Sequence, residues 1–179
     1  MKYLIFFLFS FALIACNKSI KQESFYENGN VKEIKTYVDK KDTTVYSITK
    51  YYLNGQMSEK GFIKDGYKDG EWKYWYSDGD IRWTGIFSQG VHVNPADKIP
   101  IILFQKDTLY VGEKIYIRIQ SSTPIEDLVI GCSNGIIQQA DNIELYDCMI
   151  IPAQKGILNL YFFDRRSGTD TKKQTFMVY

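Results

Sequence analysis

The sequence is short of the residues on which most catalytic sites depend. Its 179 residues include one histidine, His92, and three cysteines. It has no Gly-x-Ser-x-Gly elbow, phosphate-binding glycine loop or calcium loop. One histidine and separated cysteines do not make a plausible zinc site, so no metal or other cofactor is expected. We therefore predict that the protein is not an enzyme, and that His92 is an ordinary surface or interface residue.

An excess of charge of one sign is also lacking. The chain has 22 Lys+Arg and 21 Asp+Glu residues. If an N-terminal segment containing Lys2 is removed, the basic residues fall to 21 and balance the acidic ones. A neutral body without a basic run gives no electrostatic reason to bind nucleic acid, so no nucleic-acid partner is expected.

Long apolar runs are absent except at the N-terminus. There Lys2 precedes an uncharged stretch, Tyr3 to Ala12, which is too short to span a bilayer. The stretch ends in Leu13-Ile14-Ala15-Cys16, which resembles the lipobox of bacterial lipoproteins. The resemblance implies a signal peptide over residues 1–15, a lipid on Cys16 and a polar, lipidated tether over residues 16–24. An ordinary secretory signal with a cysteine at its cleavage point is the alternative.

The two remaining cysteines are Cys132 and Cys148. An exported chain meets an oxidising compartment, which favours a disulfide between an even pair. Closing so short a loop would stabilise the fold by about 3 kcal/mol on the chain-entropy model. Two buried free thiols are the alternative, because cysteine packs well as a small apolar residue.

A motif of aromatic, turn and glycine residues recurs three times. Its copies begin Phe25-Tyr26, Tyr51-Tyr52 and Trp75-Tyr76, and their glycines are 26 and 24 residues apart. The pairs Asn28-Gly29, Asn54-Gly55 and Asp78-Gly79 predict hairpin apices, since both residue types tolerate positive φ. Turns between hairpins are predicted at Asp65-Gly66 and Asp69-Gly70. One hairpin per unit of this length indicates a repeat array.

This pattern resembles the bacterial variant of the MORN repeat (membrane occupation and recognition nexus). The best match runs from Tyr51 to Gly90, and it includes Gly61-Phe62 and Gly70-Glu71-Trp72. The first unit departs from the pattern between Tyr37 and Tyr46, and the third ends after Gly90. The resemblance implies a β-hairpin meander over residues 25–94.

From residue 97 the chain changes to short apolar runs separated by turns. The runs are Ile99 to Phe104, Lys114 to Gln120, Asp127 to Cys132, Ile143 to Ile151, Gly156 to Phe163 and Gln174 to Tyr179. Short strands at this spacing predict a β-sandwich over residues 97–179. The stretch looks like an immunoglobulin-like module, on the strength of Tyr110 to Ile115 and the Pro152…Gly156 turn. The predicted fold class is therefore all-β.

The aromatic residues of the repeats are the candidate binding site. Alternation along one strand places Trp72, Tyr74 and Tyr76 on one face and Trp75 on the other, and Tyr51 stands at the position equivalent to Trp75. The candidate interaction face is Tyr51, Trp72, Tyr74, Trp75, Tyr76 and Trp83. In the alternative reading these rings are the core of the repeats.

The expected function is that of a lipid-anchored envelope protein with a non-catalytic interaction or scaffolding module. Its partner would be an unidentified envelope protein. Carbohydrate or peptidoglycan binding through the aromatic face is the second hypothesis, and an antitoxin-like MORN-variant protein is the third. The expected location is the cell membrane or the outer membrane, on the periplasmic face by default, because no acidic run follows Cys16.

Overall fold

The computed structural model describes residues 19–93, 100–166 and 172–179, and the chain is all-β within them. The only helical element in these ranges is the short 3-10 turn Ile125–Asp127. Across the same ranges, no helix has the length and apolar character needed to cross a bilayer. The predicted signal peptide and Cys16 lie outside the described residues.

The N-terminal module is a single sheet of seven strands that follow one another in chain order. The strands are β1 (Ile20–Phe25), β2 (Val31–Tyr37), β3 (Val45–Tyr51), β4 (Met57–Lys64), β5 (Tyr67–Trp75), β6 (Ile81–Ser88) and β7 (Val91–His92). Each strand pairs antiparallel with its neighbours, so the predicted meander is present. It begins earlier than predicted. Residues 20–24, assigned to the tether, belong to β1 because they pair with β2.

The three predicted hairpin apices are confirmed. Gly29, Gly55 and Gly79 have φ values of 86°, 85° and 95°. The amide of each glycine donates to the carbonyl of the tyrosine three residues earlier, at 2.9 to 3.0 Å. The glycine therefore closes each turn in the left-handed region, where a side chain with a branched Cβ would be strained.

Of the two turns predicted between hairpins, one is present and the other is not. Asp65-Gly66 joins β4 to β5 with φ values of 52° and 83°, as a tight hairpin turn requires. The turn predicted at Asp69-Gly70 is wrong, because both residues lie inside β5. The register between β4 and β5 shifts beside them, and the positive φ of Gly70 accompanies this bulge rather than a turn.

A cluster of large side chains forms the core of the repeat sheet. Trp72, Trp83, Phe87 and Ile48 are buried together. Trp72 lies against Gly61 on β4, where any Cβ would overlap the indole ring. The Trp72 indole N–H also donates to the Phe62 carbonyl at 3.2 Å. A glycine in the middle of β4 thus allows the largest side chain of β5 to pack flat on the sheet.

The C-terminal module is a β-sandwich, as predicted. A four-stranded sheet has the order β11-β12-β9-β8, and a three-stranded sheet has the order β10-β13-β14. The strands are β8 (Ile101–Phe104), β9 (Ile115–Gln120), β10 (Leu128–Cys132), β11 (Ile136–Gln139), β12 (Cys148–Ile151), β13 (Gly156–Asp164) and β14 (Lys172–Val178). The two sheets enclose an aliphatic core in which Ile115, Ile117, Leu158 and Leu160 are fully buried.

Two strands of the sandwich differ from prediction. β11 was not predicted, although Ile136 and Ile137 form a short apolar run. The strand predicted over Ile143 to Ile151 is reduced to Cys148–Ile151. The backbone before it leaves the sheet because the Glu144 and Leu145 carbonyls accept from Ser77 and Arg118 instead.

The predicted disulfide is not formed, and both cysteines are free thiols. Cys132 ends β10 in one sheet, while Cys148 begins β12 in the other. The Cys132 thiol is turned toward the Gly135 carbonyl of its own turn, at 3.4 Å. Burial raises the pKa of Cys132, and it raises the pKa of Cys148 to about 12. The alternative of two thiols packed among apolar residues describes this structure.

Candidate interaction surface and the joint between the modules

A ladder of tyrosine hydroxyls links successive repeats. The Tyr26 hydroxyl donates to the Tyr51 carbonyl, and the Tyr52 hydroxyl donates to the Trp75 carbonyl, both at 2.6 Å. In each case the tyrosine at one turn reaches the residue that precedes the equivalent tyrosine in the next repeat. The ladder therefore runs in one direction along the sheet, from the first hairpin to the third.

The third tyrosine reaches the sandwich instead of another repeat. The Tyr76 hydroxyl donates to Asp147 Oδ2 at 2.6 Å, and Tyr76 is only 2% exposed. The same carboxylate accepts from the Ile119 amide at 2.7 Å and from Arg82 Nε at 2.9 Å. Burial, with the Asp147 carboxylate beside it, raises the pKa of Tyr76. Asp147 thus takes the place that a further repeat would occupy.

Arg118 of β9 forms the exposed side of this joint. Its guanidinium pairs with Asp78, and with Asp80 Oδ2 at 2.8 Å, both in the third apex. It also lies 4.2 Å from the centre of the Tyr76 ring. The hydrogen bond from Arg118 lowers the pKa of Asp78, so this carboxylate is ionised at neutral pH. The joint therefore combines a buried charged group with a more accessible one.

His92 supplies a second contact between the modules. Its Nε2 lies 3.7 Å from Asp127 Oδ2, and Arg166 Nε lies 2.9 Å from the other oxygen of Asp127. His92 is thus an interface residue. Within the described ranges, no group of three or more His, Cys, Asp or Glu side chains is arranged to hold a metal ion.

The predicted aromatic face separates into buried and accessible residues. Trp72, Tyr76 and Trp83 are 1%, 2% and 7% exposed, so these three rings have little surface to offer a partner. Tyr74 is half-buried beside Trp72. The Lys68 ammonium lies 4.8 Å from the centre of the Trp72 ring and 5.0 Å from the centre of the Tyr74 ring. For this side of the sheet, the reading of the rings as repeat core describes the structure.

The other candidates, Tyr51 and Trp75, belong to a row of apolar pairs that we call the apolar stripe. Residues directly opposite each other in a sheet share a face, and here Trp75 pairs with Ile81 and Tyr51 with Met57. Phe25 and Val31 form the equivalent pair in the first hairpin. Phe25, Met57 and Ile81 are 55%, 39% and 57% exposed, and their partners are half-buried. Tyr74 and Trp75 are consecutive in β5, so alternation places their side chains on opposite faces of the sheet.

A small cavity lies where the two modules meet. It has a volume of about 150 Å³. Tyr74, Trp83 and Arg82 line it from the repeat sheet, and residues 119–126 of the sandwich contribute Ile125 and Glu126. Its walls are largely apolar, with charged groups among the lining residues. Sequence reasoning did not find this cavity or the joint, because their residues are far apart along the chain.

Comparison with known proteins bears on the repeats alone. Residues 19–39 and 68–82 match the model of the MORN repeat variant family. These two stretches are similar to MORN-variant repeats. The first covers the β1–β2 hairpin and the second covers the third apex, while the middle hairpin builds the same turn between the two MORN stretches. No curated protein and no solved structure matches the chain.

Proposed function

We propose that the protein is a lipid-anchored envelope scaffold, in which the apolar stripe of the MORN-variant sheet binds a protein partner and no reaction is catalysed. The stripe carries this proposal, because it repeats once per hairpin and each hairpin has one exposed stripe residue, namely Phe25, Met57 and Ile81. MORN repeats are commonly interaction modules for proteins or membranes.

The shape of the stripe favours a partner with an extended apolar ridge. Strands lie about 4.8 Å apart, so one apolar pair recurs roughly every 10 Å across the three hairpins. Polar turn residues such as Glu27, Asn54 and Asp78 border the stripe at the apices. An accessible apolar row rimmed by polar groups is the usual composition of a protein-binding surface.

The joint gives this surface a fixed relation to the sandwich. Asp147 bonds to two groups of the repeat sheet, and Arg118 bonds to the third apex. A partner on the stripe would therefore lie at a defined position relative to the sandwich. Holding two surfaces in one arrangement is what a scaffold does.

The binding test uses Trp75→Ala and Tyr51→Ala in photo-crosslinking and pull-down from envelope extracts. Both variants should reduce partner capture by about tenfold or more, as expected for aromatic anchors in an interface. Ile157→Ala is the matched control, because Ile157 is 59% exposed but lies on the sandwich. If the stripe variants capture the partner as well as the control does, the stripe is not the binding surface.

The anchoring test uses Cys16→Ser. We expect the unchanged chain to incorporate a fatty-acid label and to sediment with membranes. The variant should accumulate as unprocessed precursor or as unlabelled protein. A Cys16→Ser chain that is processed and still carries the acyl label would contradict the anchor.

Glycan binding is a second candidate, and the cavity between the modules favours it. Its lining brings the Tyr74 and Trp83 rings together with Arg82 and Glu126, and aromatic faces beside a few polar groups are typical of small-molecule sites. Calorimetric titration with N-acetylglucosamine oligomers should show binding that Glu126→Ala weakens. Absence of heat at millimolar sugar would remove this candidate and leave the stripe proposal untouched.

A further inference from the structure

Among the described strands, the outer edge of β1 is an unpaired end of the MORN-variant sheet. All six residues of β1 are exposed, and β1 is at one edge of the sheet formed by the described strands. At the other end, the ladder of tyrosines finishes on Asp147. The carbonyls of Phe25 and Glu27, equivalent to those that accept from the preceding repeat at Tyr51 and Leu53, have no preceding repeat among the described residues.

The direction of the free backbone groups follows from the first turn. The Tyr26 amide and carbonyl both bond within the hairpin, to Asn30 and Gly29. Backbone groups alternate along a strand, so those of Lys21, Glu23 and Phe25 point outward. An added antiparallel strand must bond to these odd-numbered residues.

Two copies of β1 satisfy this requirement, and in one register the two charged residues of the strand face each other. Outward residues must face outward residues, so a two-fold axis has to pass through a residue and not between two. An axis at Gln22 places Lys21 opposite Glu23 of the second copy, twice. An axis at Lys21 or at Glu23 would place like charges opposite each other, which destabilises a strand pair.

We propose that the protein forms a symmetric dimer by antiparallel pairing of β1 with β1 of a second copy, with the two-fold axis at Gln22. Charged residues on an edge strand usually discourage pairing. Here the two charges have opposite sign and the right spacing, so self-pairing neutralises both. A pairing of strands this short buries little surface, and the dimer should therefore depend on concentration.

Charge exchange tests the register in the full chain, studied in mild detergent by analytical ultracentrifugation. Lys21→Glu and Glu23→Lys should each weaken the dimer by at least about tenfold, because each places like charges opposite each other. The double variant restores two opposite pairs and should recover the dimer. Lys106→Glu is the control for net charge, since Lys106 lies on the sandwich and pairs with Glu113.

Crosslinking tests the position of the axis. Gln22 would face itself as a non-hydrogen-bonded pair, with Cα atoms about 4.5 Å apart, which a disulfide can span. Gln22→Cys should therefore give an oxidised dimer on a denaturing gel. Ser24→Cys should not, because it would face Ile20 and lie about 13 Å from its own copy.

The outcomes are distinct from those of the stripe proposal. A monomer at every concentration, with no crosslink at Gln22→Cys, would overturn the dimer. A dimer that ignores all charge variants would also overturn it, because association would then use another surface. Neither result affects partner capture by Trp75, which lies two hairpins away from this edge.

Discussion

The two modules solve the problem of burying apolar surface differently. The sandwich encloses aliphatic side chains between two sheets, and several of them are completely buried. The repeat sheet has one layer, so it buries large aromatic rings on one face and leaves an apolar row accessible on the other. The difference shows that the aromatic richness of the repeats serves two purposes. Rings on one face substitute for a missing second layer, and the residues of the apolar stripe on the other face supply a surface.

All three tryptophans, Trp72, Trp75 and Trp83, belong to the repeat sheet. Intrinsic tryptophan fluorescence therefore reports on this module and, through Trp83, on its contact with the sandwich, while circular dichroism reports on both modules. Unfolding transitions that coincide in the two signals show that the modules unfold together, and transitions that separate show that they do not.

The largest effect is expected from Asp147→Ala at the joint. The change removes a carboxylate that is 1% exposed and leaves the Tyr76 hydroxyl and the Ile119 amide without their acceptor. Breaking such a buried group should lower the free energy of unfolding by about 3–5 kcal/mol. Urea titration should show the fluorescence and dichroism transitions separating, because the modules lose their link.

Asp141→Ala is the control for that experiment, since Asp141 is exposed and bonds within the sandwich to Lys114 and Tyr116. Asp141→Ala should leave the fluorescence and dichroism transitions at the same urea concentration. Equal behaviour of the two variants would show that the modules are not coupled through Asp147.

A comparable loss is expected from Trp72→Ala in the repeat core. Deleting a ring that is 1% exposed should cost about 3–5 kcal/mol, seen as an earlier transition in fluorescence. Trp75→Ala is the matched comparison, because Trp75 is half-buried in the stripe. We expect it to shift the melting temperature by only a few degrees. If both variants destabilise equally, the two faces of the sheet do not differ as described.

A smaller loss is expected from Gly55→Val at the second apex. Gly55 has a φ of 85°, and a Cβ added there would meet no atom within 4 Å, so strain rather than overlap sets the cost. A branched residue forced into this region should cost more than about 1 kcal/mol. Gly131→Ala, in the sandwich, has open space and no positive φ, and it should be close to neutral. A neutral Gly55→Val would contradict the turn geometry.

The smallest effect concerns the thiols of the sandwich. With its pKa raised to about 12, Cys148 should be mostly protonated at pH 8, with a thiolate fraction on the order of one in ten thousand. Native protein should therefore react with iodoacetamide at Cys132 before Cys148, as read by mass spectrometry. Unreduced protein unfolded in denaturant should take up the label at both residues. Recovery of a Cys132–Cys148 disulfide would instead restore the bond that the sequence predicted.

The sequence predicts local geometry well because that geometry has local causes. An Asn-Gly or Asp-Gly pair between alternating strands specifies an apex, and three apices follow at the expected residues. The turn predicted at Asp69-Gly70 is wrong for an equally local reason, since a glycine with positive φ occurs in a bulge as well as in a turn. Asp147 could not be predicted in this way. It meets Tyr76 across 71 residues of chain, and nothing in its own neighbourhood marks it as the acceptor.

The tyrosine ladder also has a consequence for distance. Each hairpin reaches the next through the same hydroxyl-to-carbonyl bond, and the last one reaches Asp147 with an equal bond length of 2.6 Å. A hairpin inserted between the second and third would preserve every contact of the joint. It would move the sandwich about 10 Å further from β1. The number of hairpins therefore sets the distance between β1 and the sandwich. Duplication of a hairpin can change this distance without any change at either end of the sheet.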